Sequence, residues 1–278
     1  MVYEAEISRN NPTCFIFLID QSRSMDEGWG EASIKSNVVA DIMNKLLHNL
    51  VMKCSKGETI RDYFHISAIG YGMEVQSAFG GPLGQEDKHI LPISVIGENP
   101  VRIDKKEKKV SDGAGGYYKE DIKFPVWINP VNEGRTPMCE ALNLAKGIID
   151  TWISEYPDSY PPLVINITDG EATDGIPSSV AEEIKSMKTS DGNALLFNVH
   201  ISSSNSIPIM YPDNVSGIND KNAELLFAMS SVLPPHLQRI AREEYRNITE
   251  ASRGYGFNVD NVSLVDFLDI GTRPANMR

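Results

Sequence analysis

The sequence predicts a doubly wound α/β fold built on a mostly parallel, Rossmann-like sheet, and three observations carry that expectation. Two short runs read as buried strands: residues 14–20 (CFIFLID), apolar on both faces as in the centre of a parallel sheet, and residues 163–168 (LVINIT). Strand-like segments alternate with segments of helical spacing along most of the chain, the arrangement of successive βαβ units. Both runs also end in a carboxylate, Asp20 and Asp169, at the carboxyl edge where open α/β sheets place their ligands. With 278 residues, 41% of them hydrophobic, the chain can bury a full core, so one domain over 1–278 is expected, with elaborations at 80–122 and 220–278.

After the first run, residues 28–33 form a loop, and Val38, Ile42, Leu46, Leu47 and Leu50 recur at helical spacing from Ile34 to Cys54. Residues 63–71 (YFHISAIGY) read as a strand, and the short connection to 74–79 makes an antiparallel hairpin at one sheet edge. The inserted irregular stretch 80–122 is either functional or an elaboration with small hairpins of its own; it contains a strand-like piece at 89–96, a charged KKEKK at 105–109 read as a solvated face, and DGAGG at 112–116 read as a turn. Thr136-Pro137 is a helix-start signal, Thr as N-cap and Pro at the first helical position, followed by Leu142, Ala145, Ile149, Trp152 and Ile153 on one face. Ser179 and Glu182 have capping-box spacing for a helix reaching about Thr189. A strand at 194–202, a polar loop at 203–221, helices near 223–229 and 237–252, a short strand at 256–258 and a last helix at 262–270 complete the pattern.

A net charge of −12 argues against a nucleic-acid partner and suits a surface that attracts cations. Cys14, Cys54 and Cys139 are far apart and lack zinc spacing, so buried free thiols in a reducing compartment are expected. The five histidines show no ligand pairing, no run reaches membrane-spanning length, and the N-terminus has no basic region leading into an apolar one. A cytoplasmic protein without a membrane segment follows as the expectation.

Three loops converge on one edge of this fold: Asp20-x-Ser22-x-Ser24 after the first strand, Thr136 at a helix start, and Asp169-Gly170 after the later strand. Each alone has an ordinary explanation as a turn or cap. Together they offer two carboxylates and three hydroxyls, hard oxygen donors that approach an octahedral shell for Mg²⁺ once water is added, with Mn²⁺ or Ca²⁺ as alternatives.

With these residues in this order the chain resembles a von Willebrand factor A domain carrying a metal-ion-dependent adhesion site. The stretches GRTPMCEAL and VINITDGEATDG are further similar to the bacterial cytoplasmic branch that includes tellurium-resistance-associated proteins, which occur with kinases and phosphatases. The resemblance implies that Ser22, Ser24 and Thr136 bind the cation directly, that Asp20 and Asp169 hold it chiefly through water, and that a carboxylate from a protein partner, a kinase or phosphatase of the same system among the candidates, completes the shell. It also implies a last helix able to shift when the site changes state. Arg23 departs from the Gly found at that position in many family members. Glu171 and Asp174 either add negative potential or are ordinary loop carboxylates, and Trp29, flanked by Gly28 and Gly30, is either a partner contact or a core anchor.

Two other functions compete with a non-enzymatic binding module. A Mg²⁺-dependent phosphotransferase or phosphatase would use Asp20 as nucleophile, but it would want a second acid where Ser22 stands and a lysine near the phosphate, and neither is evident. No P-loop or Gly-x-Ser-x-Gly elbow is present. A structural subunit would use the metal only to fasten loops.

Overall fold

The computed structural model describes residues 3–29, 33–85, 89–111, 116–202 and 207–273. The strands in chain order are β1 (Thr13–Asp20), β2 (Phe64–Tyr71), β3 (Val75–Ser77), β4 (Arg102–Ser111), β5 (Tyr117–Val126), β6 (Leu163–Thr168), β7 (Leu195–Ile201), β8 (Ile209–Met210) and β9 (Tyr255–Val259). The main sheet runs β8-β9-β7-β6-β1-β2-β3, with the two-residue strand Leu91–Pro92 also paired to β2. Strands β9, β7, β6, β1 and β2 are parallel neighbours, so the expected mostly parallel sheet is present. The antiparallel edge strand expected after the 72–74 turn is β3. The opposite edge is antiparallel too, because β8 pairs with β9 there.

Helices α1 (Lys35–Cys54), α2 (Ile93–Glu98), α3 (Met138–Glu155), α4 (Ser178–Ser186), α5 (Lys221–Met229), α6 (Pro235–Glu244) and α7 (Asn261–Gly271) flank the sheet. Every residue of β1 is buried. Phe15, Phe17 and Ile19 pack with residues of α1, α6 and α7, while Cys14, Ile16 and Leu18 pack with residues of α3, α4 and α5. This two-sided burial is what an unbroken apolar run in a parallel strand encodes.

Several local expectations give way to context. The strand expected at 89–96 is only Leu91–Pro92 before α2 begins, since proline has no N–H to extend the ladder. The charged 105–109 stretch lies in β4, which pairs along its whole length with β5 as a two-stranded ribbon separate from the main sheet. It is not wholly solvated: Lys106 sits 4.0 Å over the Phe124 ring and pairs with Asp41 of α1 at 2.9 Å. The turn read at 112–116 falls largely on residues 112–115, outside those described. Helix α4 starts two residues early, with Pro177 as its N-cap in place of Ser179 and no side-chain cap bond, so Ser179 lies inside the first turn and the capping box does not form. Helix α6 stops at Glu244, short of the expected Ser252. There Thr249 N–H donates to Ser252 Oγ and Ala251 N–H to Thr249 Oγ1, local bonds that compete with the helix. Residues beyond 220 supply β9 and helices on both faces of the sheet. Cys14 and Cys54 are buried free thiols, but Cys139 is partly exposed.

Two buried polar arrangements were not evident in the sequence. Tyr71 Oη donates to Asn166 Oδ1 at 2.7 Å, Asn166 Nδ2 donates to Asn198 Oδ1 at 3.0 Å, and Asn198 Nδ2 donates to Ser230 Oγ at 3.0 Å. In α1, Asn44 accepts from the Trp127 and Ile128 N–H groups at 2.8 and 3.0 Å and donates to the Ile128 carbonyl at 2.8 Å. That second clamp fixes the chain as it leaves the ribbon toward Thr136.

Candidate metal centre

Asp20 is the last residue of β1, one position beyond the strand's pairing with β6, and it is 1% exposed. Its Oδ1 accepts the Ser22 N–H at 2.9 Å and its Oδ2 accepts the Thr168 hydroxyl at 2.7 Å. Burial pushes the Asp20 pKa up to about 6, because these hydrogen bonds do not fully replace lost hydration and Asp169 adds a neighbouring negative charge. The chain then turns into a 3-10 turn, Arg23–Asp26, which brings Ser22 Oγ within 3.0 Å of Ser24 Oγ. Ser24 Oγ donates to Asp169 Oδ1 at 2.7 Å. The hydroxyls and carboxylates expected from the first and third loops therefore form one hydrogen-bonded chain.

Thr136 is placed by its backbone. Glu133 N–H donates to the Gln21 carbonyl at 2.7 Å, and Arg23 N–H donates to the Gly134 carbonyl at 3.3 Å. Two residues on, Thr136 N–H donates to Thr173 Oγ1 at 3.1 Å, so this segment is tied to both acidic loops. The close approach needs glycine at two points. A Cβ on Gly72 would lie 2.5 Å from the Glu133 carbonyl oxygen and 2.6 Å from that of Gln21. Gly134 has φ 92° and would drive a Cβ into the Met73 backbone.

The expected Thr136 cap does not form. Helix α3 begins at Met138 with Pro137 as N-cap and no side-chain cap bond. Asp174 does the capping from the neighbouring loop, accepting the Cys139 and Glu140 N–H groups at 3.1 and 2.9 Å. Asp174 thus has a structural task at a helix N-terminus, where a carboxylate also suits the dipole, and the Thr136 hydroxyl is not consumed by the helix.

The residue that sequence reasoning missed is Lys35. It is 3% exposed, and its Nζ lies 2.6 Å from Asp169 Oδ2 and 2.7 Å from Glu27 Oε2. Burial works against its charge, but the two carboxylates outweigh that and the pKa is raised. A signal was available: Lys35 is the first residue of a 20-residue helix whose first turn has no acid, an end where a cation is disfavoured by the dipole. Arg23 is exposed and is not among the residues with positive φ, so this position does not demand glycine. Trp29 is 5% exposed and packs in the core with Met25 and Val39, which makes it an anchor and not a contact.

Among the described residues no group of three or more His, Cys, Asp or Glu side chains is gathered for a metal ion. The donor set here is of another kind, two carboxylates and serine and threonine hydroxyls, all hard oxygens that suit Mg²⁺ by type. No helix among the described residues is long and apolar enough to cross a membrane.

No family model and no curated protein matches the chain. Similar solved structures include the ArnB paralog VWA2 from Sulfolobus acidocaldarius, at 13% identity and TM-score 0.35, covering 69% of this chain and 35% of that one. The vWF domain of the type V pili tip protein Mfa5 from Porphyromonas gingivalis is similar at 15% identity and TM-score 0.33, covering 58% and 39% of the two chains. The pilus adhesin SpaC from Lactobacillus rhamnosus GG gives 11% identity and TM-score 0.49, covering 94% and 31%. The chain thus spans between 31% and 39% of the length of these structures. Likeness at this level does not reach to ligands or partners.

Proposed function

We propose that this chain is a Mg²⁺-dependent protein-interaction module of von Willebrand factor A type, in which Ser22, Ser24 and Thr136 hold the cation directly and Asp20 and Asp169 hold it through water. The observation that carries the reading is the hydrogen-bonded chain Ser22, Ser24, Asp169 beside buried Asp20, at the carboxyl edge of a parallel sheet. When bound, Mg²⁺ would supply an open coordination position, because neutral hydroxyls quench little of its charge. Asp20 and Asp169 keep the local potential suited to a cation, and a partner's Asp or Glu carboxylate is the anionic oxygen that fits. A stress-response or signalling setting, with a kinase or phosphatase as the partner, rests on the sequence resemblance.

Binding rather than catalysis is favoured because both Asp20 oxygens already accept hydrogen bonds and the residue is buried, which leaves no presented nucleophile. One observation favours the phosphotransferase alternative: Lys35 places an ammonium beside Asp169. It would need a free Asp20 oxygen as well.

Calorimetric titration of the chelator-treated protein with Mg²⁺ and Mn²⁺ is the test. One ion is expected to bind, binding is expected to be lost in Thr136→Ala without loss of fold, and Mg²⁺ is then expected to promote capture of a carboxylate-bearing partner. Binding that survives unchanged in both Thr136→Ala and Ser24→Ala would overturn the assignment.

A further inference from the structure

We infer that Lys35 is the resident counter-cation of this site, which a divalent ion must displace from Asp169 in order to bind; the inference rests on the metal-binding reading above. Three features carry it. The Lys35 ammonium is buried and lies within hydrogen-bond reach of two carboxylates, Asp169 at 2.6 Å and Glu27 at 2.7 Å. The two oxygens of Asp169 are then divided between Lys35 and Ser24, so the carboxylate is satisfied without an external ion. Lys35 also stands at the N-terminal end of α1, where its positive charge is opposed by the helix dipole and is tolerated only because the carboxylates are there.

Glu27 gives the lysine a second place to go. It lies on the rim of the site with a side chain 60% exposed, while the Asp169 side chain is fully buried. A lysine that gives up Asp169 can keep Glu27 and move toward solvent, so exchange does not strand a buried ammonium. A loaded site would then present a released Lys35 and a charged Glu27 next to the incoming partner. Cation occupancy and the shape of the rim become one linked equilibrium, in which whatever binds the released arrangement tightens the cation by the same factor.

The experiment compares Mg²⁺ affinity in the wild type, Lys35→Met and Lys35→Arg by calorimetry. Removing the competing charge while keeping most of the side-chain volume is expected to tighten binding by at least about tenfold, the effect of a lost like charge a few ångströms away in a protein interior. Lys35→Arg, which keeps the charge, is expected to stay near the wild-type affinity. A merely structural lysine would weaken binding in both variants. Wild-type binding that is unchanged or weakened in Lys35→Met overturns the exchange role and leaves the metal reading standing. No binding by either protein removes the metal reading and this inference together. If Lys35→Met does not fold, amine labelling of the wild type with an acetylating reagent, read at Lys35 by mass spectrometry, decides instead. Lys35 is expected to be protected without Mg²⁺ and labelled as Mg²⁺ saturates the site; labelling that does not change over the Mg²⁺ range overturns the inference.

Discussion

Replacing Asn44 by alanine tests whether the route to Thr136 is held by one buried amide. The side chain is 1% exposed and makes three hydrogen bonds, two accepted from the Trp127 and Ile128 N–H groups and one donated to the Ile128 carbonyl. Alanine strands all three backbone groups in a buried part of the core. At roughly 1–3 kcal/mol for each stranded group, the expected loss is at least about 3 kcal/mol. Against a domain stability of about 5–15 kcal/mol that is a large fraction. Urea unfolding followed by circular dichroism measures it, with the slope of the transition checked for constancy. Asn143→Ala is the control: its amide bonds the Cys139 carbonyl on an exposed helix surface, and a change within about 0.5 kcal/mol is expected there. A loss below about 1 kcal/mol in Asn44→Ala, or one equal to the control, would refute the clamp.

Gly72→Ala should push the Gln21 and Glu133 carbonyls apart, with a loss of about 1–3 kcal/mol typical of overpacking. An unchanged melting temperature would count against that close approach. Burial and the nearby Arg239 charge lower the His236 pKa to about 4, below its unfolded value, so the neutral ring is favoured in the folded protein. Its contribution is therefore full above pH ~6.5 and is lost as pH falls toward about 4, by at most about 3 kcal/mol since the ring is partly exposed. His236→Phe should flatten that part of the stability profile between pH 7.5 and pH 4.5, and parallel profiles for the two proteins would sink the assignment.

The parts of the fold that could be read from the sequence are those whose information is local. The short runs leading to Asp20 and Asp169 are strands buried along their whole length, and the helix over Lys35–Cys54 shows its buried face in its spacing. Ser22, Ser24 and Asp169 meet because each lies just beyond the carboxyl end of a buried strand. What was hidden depends on partners distant in sequence. Asp174 takes the cap that Thr136 was expected to supply, a substitution made across 35 residues. Lys35 reaches Asp169 across 134 residues; its place at the start of a helix with no acid in the first turn sets it apart but does not name its partner. Asn44 reads as a neutral helix position until the segment it clamps is laid against it. A hairpin is expected within 80–122 and the ribbon of β4 and β5 is one, but the charged composition of 105–109 imitates a solvated face and hides where its strands lie, since their order comes from cross-strand pairing.

The buried amide row has a consequence for how the sheet finds its alignment. In strands apolar on both faces, sliding one along its neighbour by one or two residues costs little in burial, so hydrophobic patterning specifies alignment weakly. Asn166 and Asn198 are directly opposite in the β6–β7 pairing. A slide in either direction would set each amide against an apolar side chain of the other strand and break the Asn166–Asn198 hydrogen bond, at a cost of about 1–3 kcal/mol. The two asparagines therefore act as a key that admits one alignment. Thr168, two residues beyond Asn166 on the same strand, donates its hydroxyl to Asp20 across the other pairing of that strand, with β1. A core of better hydrophobes at these two positions would gain burial and lose the means of telling the correct sheet from its shifted copies.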